Sequence, residues 1–435
     1  MATRLYPRLP PGYMTRSTLT VFAGSSCLFC AFELLNGNEL FYKKWTRSTL
    51  TVFAGSSCLF CAFELLNGNE LFYKKWVMPL IHRFFEPESA HQLGVFLASY
   101  GAFLGSRESL KNYKELKCSL FGKELDSPIG LAAGFDKDGK AIEGLRRSGF
   151  SFIEIGSVTP LPQPGNPKKR IFRFSDEEAV INCYGFNSEG VGAVAARLKN
   201  AYSSQSPVAL GINLGKNKET LEAIHDFEIG IQHVSRYCDY LVINISSPNT
   251  PGLRLYQAKN ELIKLLSDIK VSLERATNNE KRIPKLFIKI SPDLNDAEMK
   301  QISEVCLNPL YGVDGLIVTN TTITRPESLS GISSKDLPNG GLSGPPLREL
   351  STKCVAKMYR LTDGKIPIIG CGGVSSGADA YEKIRAGASG VQIYTALVYQ
   401  GFPVVGRVKR ELAELLKKDG FKNVKEAVGI DKKIF

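Results

Sequence analysis

Eight short apolar runs, each followed by a longer stretch with helical periodicity, predict an α/β chain closed into a (β/α)8 barrel. Two further observations point the same way. Every run ends in glycine or polar side chains, and no second glycine-rich nucleotide fingerprint marks an open, doubly wound sheet. In front of the barrel the sequence places an N-terminal membrane anchor (1–76) and a small helical hood (77–105), which leaves 106–435 for the barrel.

Composition sets the outer bounds. The chain has 435 residues, 43% of them apolar, enough for one barrel with an appendage. Its net charge is +12 and is spread without a run of five like charges. That distribution suits a solvated basic surface facing anionic lipid or anionic substrates, and gives no nucleic-acid arm. Ten cysteines, mostly without paired spacing, fit a reducing compartment.

The first 32 residues carry Arg4, Arg8 and Arg16 and no acidic residue, the pattern of a mitochondrial presequence. Thr15–Trp45 then recurs without one change as Thr46–Trp76. Structural repeats keep a pattern and lose the letters, so identity over this length indicates recent duplication or an assembly error. Each copy holds an apolar stretch, Leu19–Leu35 and Leu50–Leu66, near the lower limit for a membrane span, with Glu33 or Glu64 near its end. A single anchor is expected, with an interfacial hairpin as the alternative. The pairs Cys27/Cys30 and Cys58/Cys61 have zinc-knuckle spacing but sit in apolar segments, and no metal site is expected.

The strands are expected at Pro128–Ala133, Phe152–Val158, Val208–Leu214, Tyr240–Ile245, Lys285–Ile290, Gly315–Thr319, Pro367–Gly370 and Gly390–Tyr394. Helices are expected over Glu261–Ala276, Leu347–Leu361 and Ser376–Ala386. Chemistry in such barrels gathers at the C-terminal strand ends. The fourth strand runs into NISSPNTPGL (244–253), which places amides and hydroxyls where an apolar strand is still within reach. Buried groups of that kind are costly unless a polar, planar ligand satisfies them. A plain turn explains Pro251 and Gly252 but not Asn244 and Ser246. Gly372 and Gly373 after strand seven, with Tyr394 and Thr395 after strand eight, occupy the usual phosphate position of barrels. Lys289 points inward by alternation and needs a negative partner, which an anionic cofactor would supply.

Together NISSPNTPGL, AAGFDKDG, EIGSVTPLPQPGNPKKRIFR, INCYGFNSEG, GINLGKNK, IVTNTT, GGLSGPPLREL, IIGCGGVSSG and IYTAL resemble the class 2, membrane-associated, quinone-dependent dihydroorotate dehydrogenases of mitochondrial type, over about Met78–Ile430. The resemblance implies an FMN flavoprotein of pyrimidine biosynthesis at the mitochondrial inner membrane, which oxidises (S)-dihydroorotate to orotate and passes electrons to ubiquinone. It makes Ser247 the base that takes a proton from C5 while hydride leaves C6, with a relay through water or Thr250. It assigns substrate contacts to Lys137, Asn182, Tyr184, Gly185, Phe186, Asn187, Asn244, Asn249, Asn320 and Thr321. It assigns FMN to Ala132, Ala133, Gly134, Ser157, Asn213, Asn244, Lys289, Thr319, Gly344, Gly373, Tyr394 and Thr395. The hood, Val77–Gly105, resembles the family's two-helix quinone site, with His91, Arg173 and Tyr394 along the tunnel, and the turn at Pro251–Gly252 resembles its lid. Cys183 stands where the family commonly has Arg or another long residue, which bears on the local charge near the substrate. Two rivals remain: another FMN barrel, such as a tRNA dihydrouridine synthase, and a non-catalytic scaffold at a membrane surface. The first would use a Cys acid and an RNA-binding extension, and the second would not need polar groups at every strand end.

Overall fold

The computed structural model describes residues 39–101, 106–278, 280 and 282–431. The chain divides between Glu64 and Leu65 into two units. The first runs into helix α1 (Glu39–Asn67), which carries the end of one repeat copy and most of the other. No helix among the described residues is long and apolar enough to cross a membrane, so the span expected over Leu50–Leu66 is corrected. Helix α1 is long enough at 29 residues, but Lys43, Lys44, Arg47, Glu64 and its Ser and Thr residues make it too polar. The other expected span, Leu19–Leu35, lies outside the described residues.

The second unit is the barrel. Its strands are β1 (Ile129–Leu131), β2 (Phe152–Val158), β3 (Ala209–Leu214), β4 (Tyr240–Asn244), β5 (Lys285–Ile290), β6 (Gly315–Val318), β7 (Ile368–Cys371) and β8 (Gly390–Ile393). They pair in parallel, each with its neighbour in sequence, and β8 closes on β1. Helices Lys259–Thr277, Arg348–Leu361 and Gly377–Ala386 fall within two residues of their expected bounds. Alternation along each strand separates two cores. Outward residues such as Ile153, Ile155, Leu210, Ile212, Leu241, Ile243, Leu286 and Ile288 meet the helix ring through Leu262, Leu266, Val405 and Leu412. Full burial of each such side chain contributes about 1.5–3 kcal/mol.

Inward residues fill the barrel, and its floor is aromatic. Phe152, Tyr240 and Phe287 lie there with Phe121, whose ring stacks on Tyr240 at 3.9 Å and 9°. Each of the first three rings needs a glycine on the adjacent strand: a Cβ at Gly130, Gly211 or Gly315 would approach the facing ring to 2.2, 2.0 or 2.1 Å. Phe121 arrives on a hairpin, Cys118–Leu120 with Lys123–Leu125, whose two-residue loop has φ of 57° at Phe121 and 71° at Gly122. Positive φ at both positions is the geometry of a tight twisted hairpin, and burial of the Phe121 ring offsets its strain.

A three-stranded antiparallel sheet, which the sequence reading did not anticipate, is formed by Ile171–Phe174, Ala179–Asn182 and Gly341–Ser343. The hood follows α1 as a short π-helical turn (Tyr73–Val77), α2 (Met78–Phe84) and α3 (Pro87–Ser99). The boundary expected after Trp76 falls earlier, because residues 65–76 are tied to the barrel. Tyr73 is buried, Glu70 forms a two-pronged ion pair with Arg410, and Lys74 pairs with Glu178 at 2.5 Å.

Candidate functional site

The alternation that puts aromatic rings at the floor puts polar groups one and two layers above them. Glu154, two residues after Phe152, is fully buried. It accepts hydrogen bonds from Asn213 Nδ2 at 2.8 Å and Gln392 Nε2 at 2.5 Å, and Lys289 Nζ stands 3.6 Å from its Oε1. The negative partner that Lys289 requires is thus a carboxylate of the chain itself, a correction to the expectation of an anionic cofactor in that role. The Asn213 side chain accepts from Ser157 Oγ and, at 3.2 Å, from Asn244 Nδ2, which also donates to Ser157 Oγ at 3.0 Å. Three strands thereby fix the amide of Asn244 in one orientation.

Past the end of β4 the two neighbouring serines diverge. Ser246 is fully buried: its hydroxyl donates to Asn244 Oδ1 at 2.8 Å and accepts from Asn320 Nδ2 at 2.9 Å. Ser247 faces the cavity, and its Oγ accepts the Asn249 N–H at 3.3 Å. Asn249 Nδ2 in turn reaches Asn182 O at 3.1 Å. The expected partner Thr250 is buried with its hydroxyl unpaired, so it forms no hydrogen bond to Ser247. The following segment is latched by Arg254, which donates to Ser246 O at 3.0 Å and to Asp293 Oδ2 at 2.9 Å.

Lys137 lies 3.3 Å above the centre of the Tyr184 ring and donates to Asn187 Oδ1. Burial first, and then the nearby Arg170 charge, lower its pKa to about 7. Arg170 forms a two-pronged ion pair with Glu88 of α3, which ties the hood to the barrel. His91, also on α3, accepts or donates between Phe135 O at 2.7 Å (Nε2) and Tyr184 OH at 3.1 Å (Nδ1). The carbonyl requires a proton on Nε2, so Nδ1 accepts from the phenol. Burial, with Lys137 second, lowers the His91 pKa to about 4 and keeps the ring neutral. Arg173 donates through Nη2 to His82 O and Phe85 O, while its buried Nη1 has no partner.

One cavity of about 500 Å³ joins these groups. Its polar end holds Ser247, Asn244, Asn249, Asn320, Lys289 and Lys137, and its apolar end is walled by Val77, Ile81, Ala90, Leu93 and Leu97 of the hood. Ala132, Ala133, Gly134, Ser157, Asn182, Tyr184, Gly185, Phe186, Thr319, Thr321, Gly344, Gly373, Tyr394 and Thr395 line it, as do His91 and Arg173. Asn187 and Asn213 stand behind the wall, the first holding Lys137 and the second Asn244. Sequence reading missed Glu154, Gln392, His82 and Arg254. Alternation from Phe152 would have placed Glu154 inside, whereas His82 carried no comparable signal.

The fold and site define a barrel enzyme with one cavity at the C-terminal strand ends, lined by fixed amides, hydroxyls and two lysines at one end and by apolar hood residues at the other. The family model described as dihydroorotate dehydrogenase matches residues 115–416, and the chain belongs to that family. The Mus musculus protein named dihydroorotate dehydrogenase (quinone), mitochondrial, is 49% identical over 360 residues, covering 82% of this chain and 89% of its own. A Rhodospirillum rubrum protein named dihydroorotate dehydrogenase (quinone) is 48% identical over 346 residues, covering 80% and 91%. The crystal structure of the Eimeria tenella enzyme in complex with ferulenol aligns with a TM-score of 0.74 at 42% identity, covering 81% of this chain and 98% of that one.

Proposed function

We propose that this chain oxidises dihydroorotate to orotate in pyrimidine biosynthesis, using FMN and delivering the electrons to ubiquinone at the mitochondrial inner membrane. The observation that carries the reading is one continuous cavity with Ser247 and a ring of fixed amides at one end and apolar hood helices at the other.

The residues present fit FMN. Gln392 and Lys289 are buried polar side chains on the cavity wall, the second a cation. Gly134, Gly344 and Gly373 line the cavity with φ of 109°, 98° and 73°, conformations that bring bare backbone to a ligand. Gly344, Gly373 and Thr395 would hold the phosphate, while Ala132, Ala133, Ser157, Asn244, Lys289, Thr319 and Tyr394 would hold the rest. Bound there, FMN supplies a two-electron acceptor.

The chain's own residues supply orientation and proton transfer. Asn182, Asn244, Asn249 and Asn320 present amide groups to the planar substrate, and Lys137 and Thr321 stand beside them. Ser247 would take the C5 proton as its own hydroxyl proton passes to a water in the cavity, and the Asn249 N–H on its Oγ stabilises the partial negative charge on that oxygen while its proton departs. The buried neighbours Ser246 and Thr250 keep that atom away from bulk water. His91, Arg173 and Tyr394 line the route to the hood, where ubiquinone enters. Trp76, Leu80, Phe84 and Phe96 are exposed and apolar, which suits a hood resting on lipid.

Anaerobic mixing with dihydroorotate is expected to bleach the flavin absorbance, and a short-chain quinone to restore it. Absence of bleaching overturns the reading. Bleaching by reduced pyridine nucleotide together with reduction of a transfer RNA uracil would favour the dihydrouridine synthase alternative.

A further inference from the structure

Lys383 is a charged group that the chemistry above does not use. It sits on helix Gly377–Ala386 and is fully buried. Its Nζ donates to Ser351 Oγ, to Thr352 Oγ1 at 2.9 Å and to Arg348 O at 3.2 Å. All three acceptors belong to the first five residues of helix Arg348–Leu361, and none is a carboxylate. Ser351 Oγ continues the chain of hydrogen bonds by donating to Gly372 O at 2.9 Å. Gly372 and Gly373 line the cavity at the end of β7, where barrels place phosphate.

A cation beside the first turn of a helix adds to the positive end of the helix dipole instead of opposing it. The acidic groups nearest Lys383 are committed elsewhere. Asp379 accepts from Arg348, Ser375 and Ser376, and Glu382 faces Arg348 at 3.9 Å. Cys371 and Cys354, which also border Lys383, are buried thiols whose pKa burial raises. The cation is therefore satisfied in hydrogen bonds by neutral groups, while Asp379 and Glu382, which offset its charge, are shared with Arg348.

We propose that Lys383 is a positioning residue for the cofactor phosphate: through Ser351 it fixes the Gly372–Gly373 loop, and its charge favours a dianion on the far side of that loop. The inference rests on the FMN reading above and extends it to a residue that does not itself reach the cavity. Burial lowers the Lys383 pKa to about 8, which leaves the side chain mainly protonated at neutral pH.

The test compares FMN with riboflavin, which lacks the phosphate, by fluorescence titration of the flavin-stripped full chain. The wild type is expected to prefer FMN strongly; equal affinity would refute the phosphate assignment itself, independently of Lys383. Lys383→Met, which removes a charge that acts across the loop without touching the ligand, is expected to weaken FMN by about tenfold and to leave riboflavin within about twofold. Ser351→Ala, a smaller change that keeps the charge and should fold, is expected to lower the preference for FMN in the same direction by less. A merely structural role would weaken both flavins equally, so an unchanged FMN-to-riboflavin ratio in the folded variants overturns the inference.

Discussion

Replacement of Glu154 by Gln tests whether the buried centre of the barrel works as described. Glu154 and Lys289 have side-chain exposures of 0% and 5%, so neither charge has solvent to fall back on. Removing one partner of such a pair costs about 3–5 kcal/mol, because the remaining charge is stranded. The substitution also turns one accepting oxygen into an NH2 group. Either Asn213 Nδ2 or Gln392 Nε2 then faces another donor, which adds about 1–3 kcal/mol. At about 1.4 kcal/mol per factor of ten, the folded fraction relative to unfolded should fall by about a thousandfold or more. Urea denaturation of the full chain, stripped of flavin so that binding does not contribute, reads this directly. The double variant Glu154→Gln with Lys289→Met should recover part of the loss, with a coupling of at least about 1.5 kcal/mol. A single-variant loss below about 1 kcal/mol, or additive effects in the double variant, would refute the account of Glu154 as the partner of Lys289.

Ser247→Ala should retain flavin and bind orotate, while flavin reduction slows by about a hundredfold to ten-thousandfold in stopped-flow absorbance; near-normal reduction removes Ser247 from the role of base. Orotate affinity should fall as pH rises above about 7, since free Lys137 then loses the proton that attracts an anion, and Lys137→Met should flatten that profile. His91 contributes stability that is fully present above its unfolded pKa of about 6.5 and is lost as pH falls toward its folded value of about 4. A His91→Gln variant should therefore show a shallower fall in melting temperature between pH 7 and pH 5. A chain starting at Leu65 should keep quinone-dependent turnover. One starting at Val77 should lose the Glu70–Arg410 and Lys74–Glu178 links, and its quinone KM should rise while a soluble acceptor still supports turnover.

The barrel was readable because parallel strands buried on both faces leave near-continuous apolar runs, and each observed strand lies within two residues of its expected bounds. The residues around Ser247 were readable because hydrogen-bonding groups at strand ends stand out against those runs. The small antiparallel sheet was hidden for the opposite reason: its strands are three or four residues long, and Gly341–Ser343 pairs with a segment far away in sequence. Long-range pairing also hid the true start of the second unit, since Glu70 gives no local sign that it meets Arg410. The choice between Ser246 and Ser247 came from resemblance, and the geometry gives it a physical basis, with one hydroxyl consumed inside the wall and the other facing the cavity.

The Phe121 hairpin gives the barrel a blind end. With its ring stacked on Tyr240 and packed between Phe152 and Phe287, the axis offers no second doorway at the floor. What enters the cavity therefore approaches it from the rim, beside the hood and the Arg254-latched segment. A hairpin that never meets the substrate thus decides the direction from which everything else must arrive.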